Sequence, residues 1–215
     1  MLSATALRTF LPTLPRIALR GPWYRAVNHD LLTGPPPGAR PGSPVQPIWP
    51  GGAARKGARF TPRAVAAPGI DCLYLAEDEL TPLVEITGVF RPPGMAIPLR
   101  FAPQTMMTVE GDVADVLDLT DTAIQGELGT TLRELTAPWM LQQARHLAGL
   151  APPPPTQELG QEAFDTGSIV GLRYHSSKNP SGVGVVVFTS RLIAGRDAIA
   201  VFNPNPTGRL QQSLP

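Results

Sequence analysis

The chain has 215 residues, 42% of them hydrophobic and 6% aromatic, with a formal net charge of +1. That length and composition allow one sizeable domain whose core is built from Leu, Val, Ile and Ala. The 26 prolines and 21 glycines argue against a helical bundle and for short strands with much irregular loop, so an α+β protein is expected.

A single cysteine, Cys72, excludes an internal disulfide. Its place in an apolar strand makes it a buried, inert thiol, which suits a reducing cytoplasm. No stretch has enough uninterrupted apolar residues to span a bilayer. The first twenty residues are interrupted by Arg8, Pro12, Pro15 and Arg16 where a secretory signal would need its apolar run, so they are expected to form a plain N-terminal arm over 1–21.

Charge is unevenly spread. Residues 1–70 hold nine Arg or Lys and one acid, residues 71–165 four and fifteen, and residues 166–215 five and one. The segments therefore carry +8, −11 and +4, and two readings are open: mutual neutralisation across one domain, or basic ends that supply an anion site. No dense basic run is interleaved with aromatics, which argues against direct nucleic-acid binding.

In chain order, Trp23 to Val27 alternates as a strand, with Arg25 on the face opposite Tyr24 and Ala26; spacing alone makes Arg25 a structural ion-pair residue. Thr33 to Pro50, TGPPPGARPGSPVQPIWP, is too rich in proline for helix or ladder, and Trp49 is expected to pin its end. Gly51 to Pro62 brings Arg55, Lys56 and Arg59 together among glycines, as a phosphate-binding loop would, although neither GxxxxGK[ST] nor GxGxxG is present.

Cys72 to Ala76 is a short apolar strand that ends at Glu77-Asp78-Glu79. Asp78 is expected to cap the following helix, with acidic residues in its first turn, Pro82 early enough to be tolerated, and Leu83, Ile86 and Val89 facing the core. Glu85 falls beside that face, where a carboxylate must be paired, protonated or useful.

Met106 to Glu110 and Val113 to Leu119 read as two further strands. Thr120 or Asp121 caps a helix ending near Gly129; Thr131 to Leu150 is helical with a break at Pro138; and Thr156 opens another short helix. Ser168 to Tyr174, Gly184 to Phe188 and Ala198 to Phe202 are strand candidates, with Val185 to Phe188 the most clearly buried. The polar segment Tyr174 to Asn179 follows the first of these, a position where loops commonly hold ligands.

His29, His146 and His175 are isolated from one another and from Cys72, so no zinc spacing exists and no metal is expected. His175 beside Ser176 does not make a hydrolase pair, because neighbours in a strand point to opposite faces and GxSxG is missing. Glu85, Tyr74, the arginines and a later hydroxyl would suit a dinucleotide. Guanidinium groups would hold the pyrophosphate, an aromatic face would stack on the nicotinamide, and a carboxylate would stabilise an oxocarbenium-like ribose. Physical chemistry alone does not select this reading over a generic core.

The motifs WYRAV, GARF, LYLAEDELTPLVEI, VLDLTD, PPTQELGQEAF, GLRYHSSK and VVVFTSRL occur in this order, and in that order the chain, from about Trp23 to Phe202, resembles the RES domain family, named for its Arg, Glu and Ser. The resemblance implies an ADP-ribosyltransferase-like single domain over 22–205 that includes the proline-rich loop 33–50, with a mixed or antiparallel sheet flanked by short helices and a tail over 206–215. It implies a cytoplasmic toxin that uses NAD+ as substrate, with phosphate, water or a target protein as the acceptor and an Xre-type helix-turn-helix protein as its antitoxin. Carried over by position, the Arg is Arg59, the Glu is Glu85 and the Ser is Ser176, with Ser177 one register away, while Tyr74 and Arg25 fall where the family lines its NAD pocket. Gly57-Ala58-Arg59-Phe60-Thr61 stands where the family usually has GGRWN or GGRFN, the segment from Arg59 to Tyr74 is longer than usual, and Thr81-Pro82-Leu83 replaces an alanine-rich approach to the glutamate. The alternatives are therefore a protein ADP-ribosyltransferase at the same site, a degenerate NAD-binding module, and a structural domain in which Glu85 pairs with Arg25 or Arg59.

Overall fold

A computed structural model describes residues 1–34, 38, 40, 43, 46–65, 69–86, 89–90, 97–98, 103–201 and 212–215. It is an α+β fold with a mixed sheet, as expected. The chain runs through α1 (Ala4–Phe10), β1 (Ile17–Arg20), β2 (Trp23–Asn28), α2 (Gly51–Lys56), β3 (Cys72–Ala76), α3 (Leu80–Ile86), β4 (Val89–Phe90) and β5 (Ile97–Pro98). It continues through β6 (Gln104–Asp118), α4 (Thr122–Glu127), α5 (Leu132–Leu135), α6 (Met140–Leu147), α7 (Pro155–Asp165), β7 (Gly171–His175), β8 (Val183–Phe188), β9 (Ala198–Val201) and β10 (Gln212–Leu214).

Eight strands form one sheet in the order β10-β9-β6-β2-β3-β8-β7, with β1 added against β6. Strand β7 also pairs in parallel with the end of β6, Val116 opposite Gly171. The circuit β6, β2, β3, β8, β7 therefore closes on itself, and every one of these strands is paired on both sides.

Strand β6 makes this possible. The two short strands expected at 106–110 and 113–119 are one strand of 15 residues. The polar pair Gly111-Asp112 reads as a break in sequence, but its backbone is paired with Ala198 and Ile199 of β9. The bend comes later, at Asp115, whose φ is +55° and where the register with β1 shifts. Such a bulge re-aims the strand so that its last residues reach β7.

Both faces of the closed sheet are buried. Cys72, Leu172, Val186 and Phe188 pack with Leu7, Leu11, Leu14, Phe60, Leu159 and Ala163. Leu73, Leu75, Val185 and Val187 pack on the other face with Trp23, Ile48, Val109 and Ile199. Within residues 1–21, which precede the expected domain, Leu7, Leu11 and Leu14 pack in the core and β1 extends the sheet.

Ion pairs bear on the first reading of the charge distribution, neutralisation across the domain. Arg8 meets Glu162, Arg20 meets Asp112, Arg173 meets Glu77 and Asp118, and Arg196 meets Asp115. Each joins a basic end of the chain to the acidic middle, so part of the asymmetry is neutralised within the domain.

Other expectations were met or revised locally. Asp121 caps α4 by accepting from Ala123 N–H, and Pro138 lies in the break between α5 and α6. The segment Gly51 to Lys56 is a helix and not a loop, with Arg55 and Lys56 exposed and Arg59 buried, so the three cations do not form one cluster. Residues 35–37, 39, 41–42 and 44–45 of the proline-rich stretch, and Phe202, lie outside the described residues.

Candidate functional site

Helix α3 ends at Ile86, and Val89 belongs to β4. Its buried residues are Thr81, Pro82 and Val84; of the core-facing set expected at Leu83, Ile86 and Val89, Leu83 is half-buried, Ile86 is exposed, which corrects that expectation, and the side chain of Val89 lies outside the described residues. The apolar spacing did not include Thr81, whose burial depends on polar partners supplied by residues far along the chain. The acidic residues precede the helix instead of filling its first turn: Asp78 Oδ1 accepts from Thr81 N–H at 2.8 Å, and Glu77 pairs with Arg173.

This register turns Glu85 toward β7. Strand β7 buries Leu172 and Tyr174 on one face, and Ser176, two residues further, follows the same alternation. Ser176 Oγ donates to Glu85 Oε1 at 2.5 Å and accepts from the backbone N–H groups of Lys178 and Asn179 at 3.1 and 3.0 Å. Lys178 Nζ donates to the Glu85 carbonyl oxygen at 2.6 Å. The carboxylate thus sits at the C-terminal end of a short helix whose last turn is tied to the loop after β7.

Arg59 reaches the same place from a tight turn. Ala58 and Thr61 exchange backbone hydrogen bonds at 2.8 and 3.2 Å, and Gln157 Nε2 donates to Ala58 O at 2.8 Å. On α7, Gly160 gives the turn its room, since a Cβ there would lie 1.9 Å from Phe60 O. Arg59 Nη1 donates to Leu135 O and Ala137 O at 2.8 and 2.9 Å, and Nη2 to Ser177 Oγ at 2.6 Å. Three of a guanidinium's five N–H groups are thereby used within the protein, leaving at most two for a ligand. Burial lowers the Arg59 pKa, and the charge of Glu85 acts in the opposite direction.

Tyr74 is a wall of the site with its hydroxyl engaged. Its oxygen accepts from Phe60 N–H at 3.0 Å and shares a hydrogen bond with Thr61 Oγ1 at 2.9 Å. Tyr174 stands across from it, edge-on to Phe60 at 4.7 Å. Burial first, and then the charge of Glu85, push the Tyr174 hydroxyl well above its ordinary range, so it is a neutral donor at physiological pH.

Together these groups enclose a cavity of about 240 Å³ lined by Arg59, Tyr74, Thr81, Glu85, Trp139 and Tyr174, among others. The structure therefore brings Arg59, Tyr74 and Glu85 to one cavity, with Ser176 bonded to Glu85. It does not bring Arg25 there. On the opposite face of β2 from Ala26, which lines the cavity, Arg25 borders a second pocket of about 30 Å³ with Val27, Leu32 and Trp49. It donates to Trp49 O at 3.3 Å, and burial lowers its pKa to about 10. Among the described residues no ion pair joins Glu85 to Arg25 or Arg59.

A protein-family model described as the RES domain matches residues 22–211. The chain belongs to the RES domain family. Among solved structures, the crystal structure of the M. tuberculosis MbcT-MbcA toxin-antitoxin complex matches with a TM-score of 0.55 and 18% sequence identity, over 97% of this chain and 91% of that one. That likeness is one of fold alone, and the fold is of the α+β class the sequence implied. A search of curated proteins gave no match.

Within this RES domain, Trp139, Thr81 and Tyr174 line the cavity without having been singled out for it. Tyr174 had a local signal, because it shares strand parity with Ser176. Trp139 had none, since its place depends on long-range ties, the carbonyls gripped by Arg59 and the hydrogen bonds of Gln143 to Lys56 and Gln157. No group of His, Cys, Asp and Glu suited to a metal occurs among the described residues, and no described helix is long and apolar enough to cross a membrane.

Proposed function

We propose that this RES domain is the toxin of a toxin-antitoxin pair and cleaves NAD+ at the bond between nicotinamide and ribose. The observation that carries this reading is the Glu85 carboxylate, held by Ser176 at 2.5 Å on the wall of a cavity that also holds Arg59 and three aromatic rings. Nicotinamide is a good leaving group because its positively charged ring nitrogen takes the bonding pair and departs neutral. The ribosyl carbon is left electron-poor, and a carboxylate fixed beside it stabilises that charge where it develops.

Tyr74, Trp139 and Tyr174 offer faces for the nicotinamide ring, and the remaining Arg59 N–H groups suit a phosphate oxygen. Water adding to the ribosyl carbon gives ADP-ribose and a proton; inorganic phosphate gives the 1-phosphate ester of ADP-ribose. Degradation of this kind is favoured over transfer to a protein, and the match to a toxin-antitoxin complex supports an antitoxin partner, of Xre type by family resemblance.

Nicotinamide release from NAD+ by the purified protein tests the proposal, with and without phosphate. Wild type is expected to turn over and Glu85→Gln to lose at least about 100-fold, the scale of removing one electrostatic stabiliser. Equal release by both proteins, or none by wild type, would sink it.

A further inference from the structure

Glu85 and Ser176 lie on elements that touch through a second, buried polar bridge. Thr81, one helical turn before Glu85, has a hydroxyl that donates to Asp78 Oδ2 at 2.6 Å and accepts from Asn179 Nδ2 at 2.9 Å. Thr81 is 2% and Asn179 7% exposed. On the other side, Asn179 N–H donates to Ser176 Oγ at 3.0 Å, its Oδ1 accepts from Ser181 Oγ at 3.2 Å, and its carbonyl accepts from Gly182 N–H at 2.9 Å. Gly182 O in turn accepts from Ser176 N–H at 2.9 Å.

We propose that Thr81 and Asn179 are positioning residues that hold the Ser176 hydroxyl in register with the Glu85 carboxylate. This rests on the NAD+-cleavage reading of the site. The bridge has one possible polarity. An ionised Asp78 can only accept, so the Thr81 hydroxyl hydrogen is directed to it, and the Thr81 lone pairs are left for the Asn179 amide. That sets the Asn179 side chain with its NH2 toward α3 and its oxygen toward Ser181, and so sets the loop carrying Ser176. Gly182 makes the approach possible: a Cβ there would lie 1.9 Å from Thr81 Oγ1 and 2.6 Å from Asn179 Nδ2. With Thr81 and Glu85 four residues apart on one helix, the bridge fixes both the rotation of α3 and its distance from the loop. A hydrogen bond as short as that from Ser176 to Glu85 tolerates little drift in either.

The test compares wild type, Thr81→Val, which keeps shape and loses the hydroxyl, and Thr81→Ser, which keeps the hydroxyl. Steady-state nicotinamide release is measured together with amide hydrogen exchange at Lys178 and Asn179, whose N–H groups report on Ser176 Oγ. Thr81→Val is expected to lower kcat about tenfold with KM within about twofold, since misplacement of reacting groups acts on the chemical step. Exchange at both amides should quicken, and Thr81→Ser should restore both readouts. Unchanged kcat or unchanged exchange in Thr81→Val, or no rescue by Thr81→Ser, would overturn the proposal. If wild type releases no nicotinamide, the cleavage reading fails and the exchange data alone decide the bridge. If Thr81→Val does not fold, Asn179→Ala is read by the same measurements.

Discussion

Ser176 Oγ meets Glu85 Oε1 at 2.5 Å across 91 positions of sequence, and the same oxygen receives the N–H groups of Lys178 and Asn179. One hydroxyl therefore does two things: it steadies the carboxylate and it folds the loop after β7.

Ser176→Ala should show both losses. Two backbone amides and a carboxylate lose a partner in a buried setting, which costs about 1–3 kcal/mol and shifts the denaturant midpoint down. Nicotinamide release should fall by roughly 10- to 100-fold, with the larger share in kcat, because the carboxylate is less well held when charge develops. A variant with full stability and full turnover would show that Ser176 is dispensable.

Arg59→Lys should not be conservative. One ammonium cannot reproduce the fork that grips Leu135 O, Ala137 O and Ser177 Oγ together, and the segment bearing Trp139 would lose its tie to the cavity. A loss of about 1–3 kcal/mol in stability and a raised KM for NAD+ are expected from thermal melts and steady-state kinetics. Equal KM in the two proteins would remove Arg59 from the binding of substrate.

Alkaline pH should destabilise the fold earlier than arginine chemistry requires. Burial pushes the Cys72 thiol from 9.0 up to about 12, and raises the Tyr74 and Tyr174 hydroxyls as well. Groups whose folded pKa lies above the unfolded value contribute stability below the unfolded pKa and lose it as pH rises toward the folded one. Melting temperature should therefore hold to about pH 9 and decline from there toward pH 12, and Cys72 should resist alkylation at pH 8 until the chain unfolds. Rapid labelling of the native protein would contradict its burial.

Arg8→Ala should lower the melting temperature although Arg8 is an exposed residue of the first helix. Its partner Glu162 has a side chain only 5% exposed, so the substitution strands a carboxylate against α1 and the core. The double variant Arg8→Ala, Glu162→Gln should recover part of the loss, because the neutral amide is cheaper to leave unpaired. Failure of the double variant to recover would assign the effect to helix packing and not to charge.

Local pattern carried a good deal of this molecule. The strands at Trp23 to Val27, Cys72 to Ala76 and Val185 to Phe188, the cap at Asp121 and the break at Pro138 follow from propensity and periodicity, which act over a few residues. The ordered motifs marked the RES domain and named Arg59, Tyr74, Glu85 and Ser176 together. What local pattern could not convey is where a side chain finds its partner. Strand β6 continues past Gly111 because β9 supplies its hydrogen bonds; Thr81 faces inward because Asn179, 98 positions later, meets its hydroxyl; Arg25 and Arg59, alike in sequence, end on different pockets because alternation along β2 turns Arg25 away from the cavity. The residue types at the site were written in the chain, whereas their distances were decided by a closed sheet that brings α3 and the loop after β7 together.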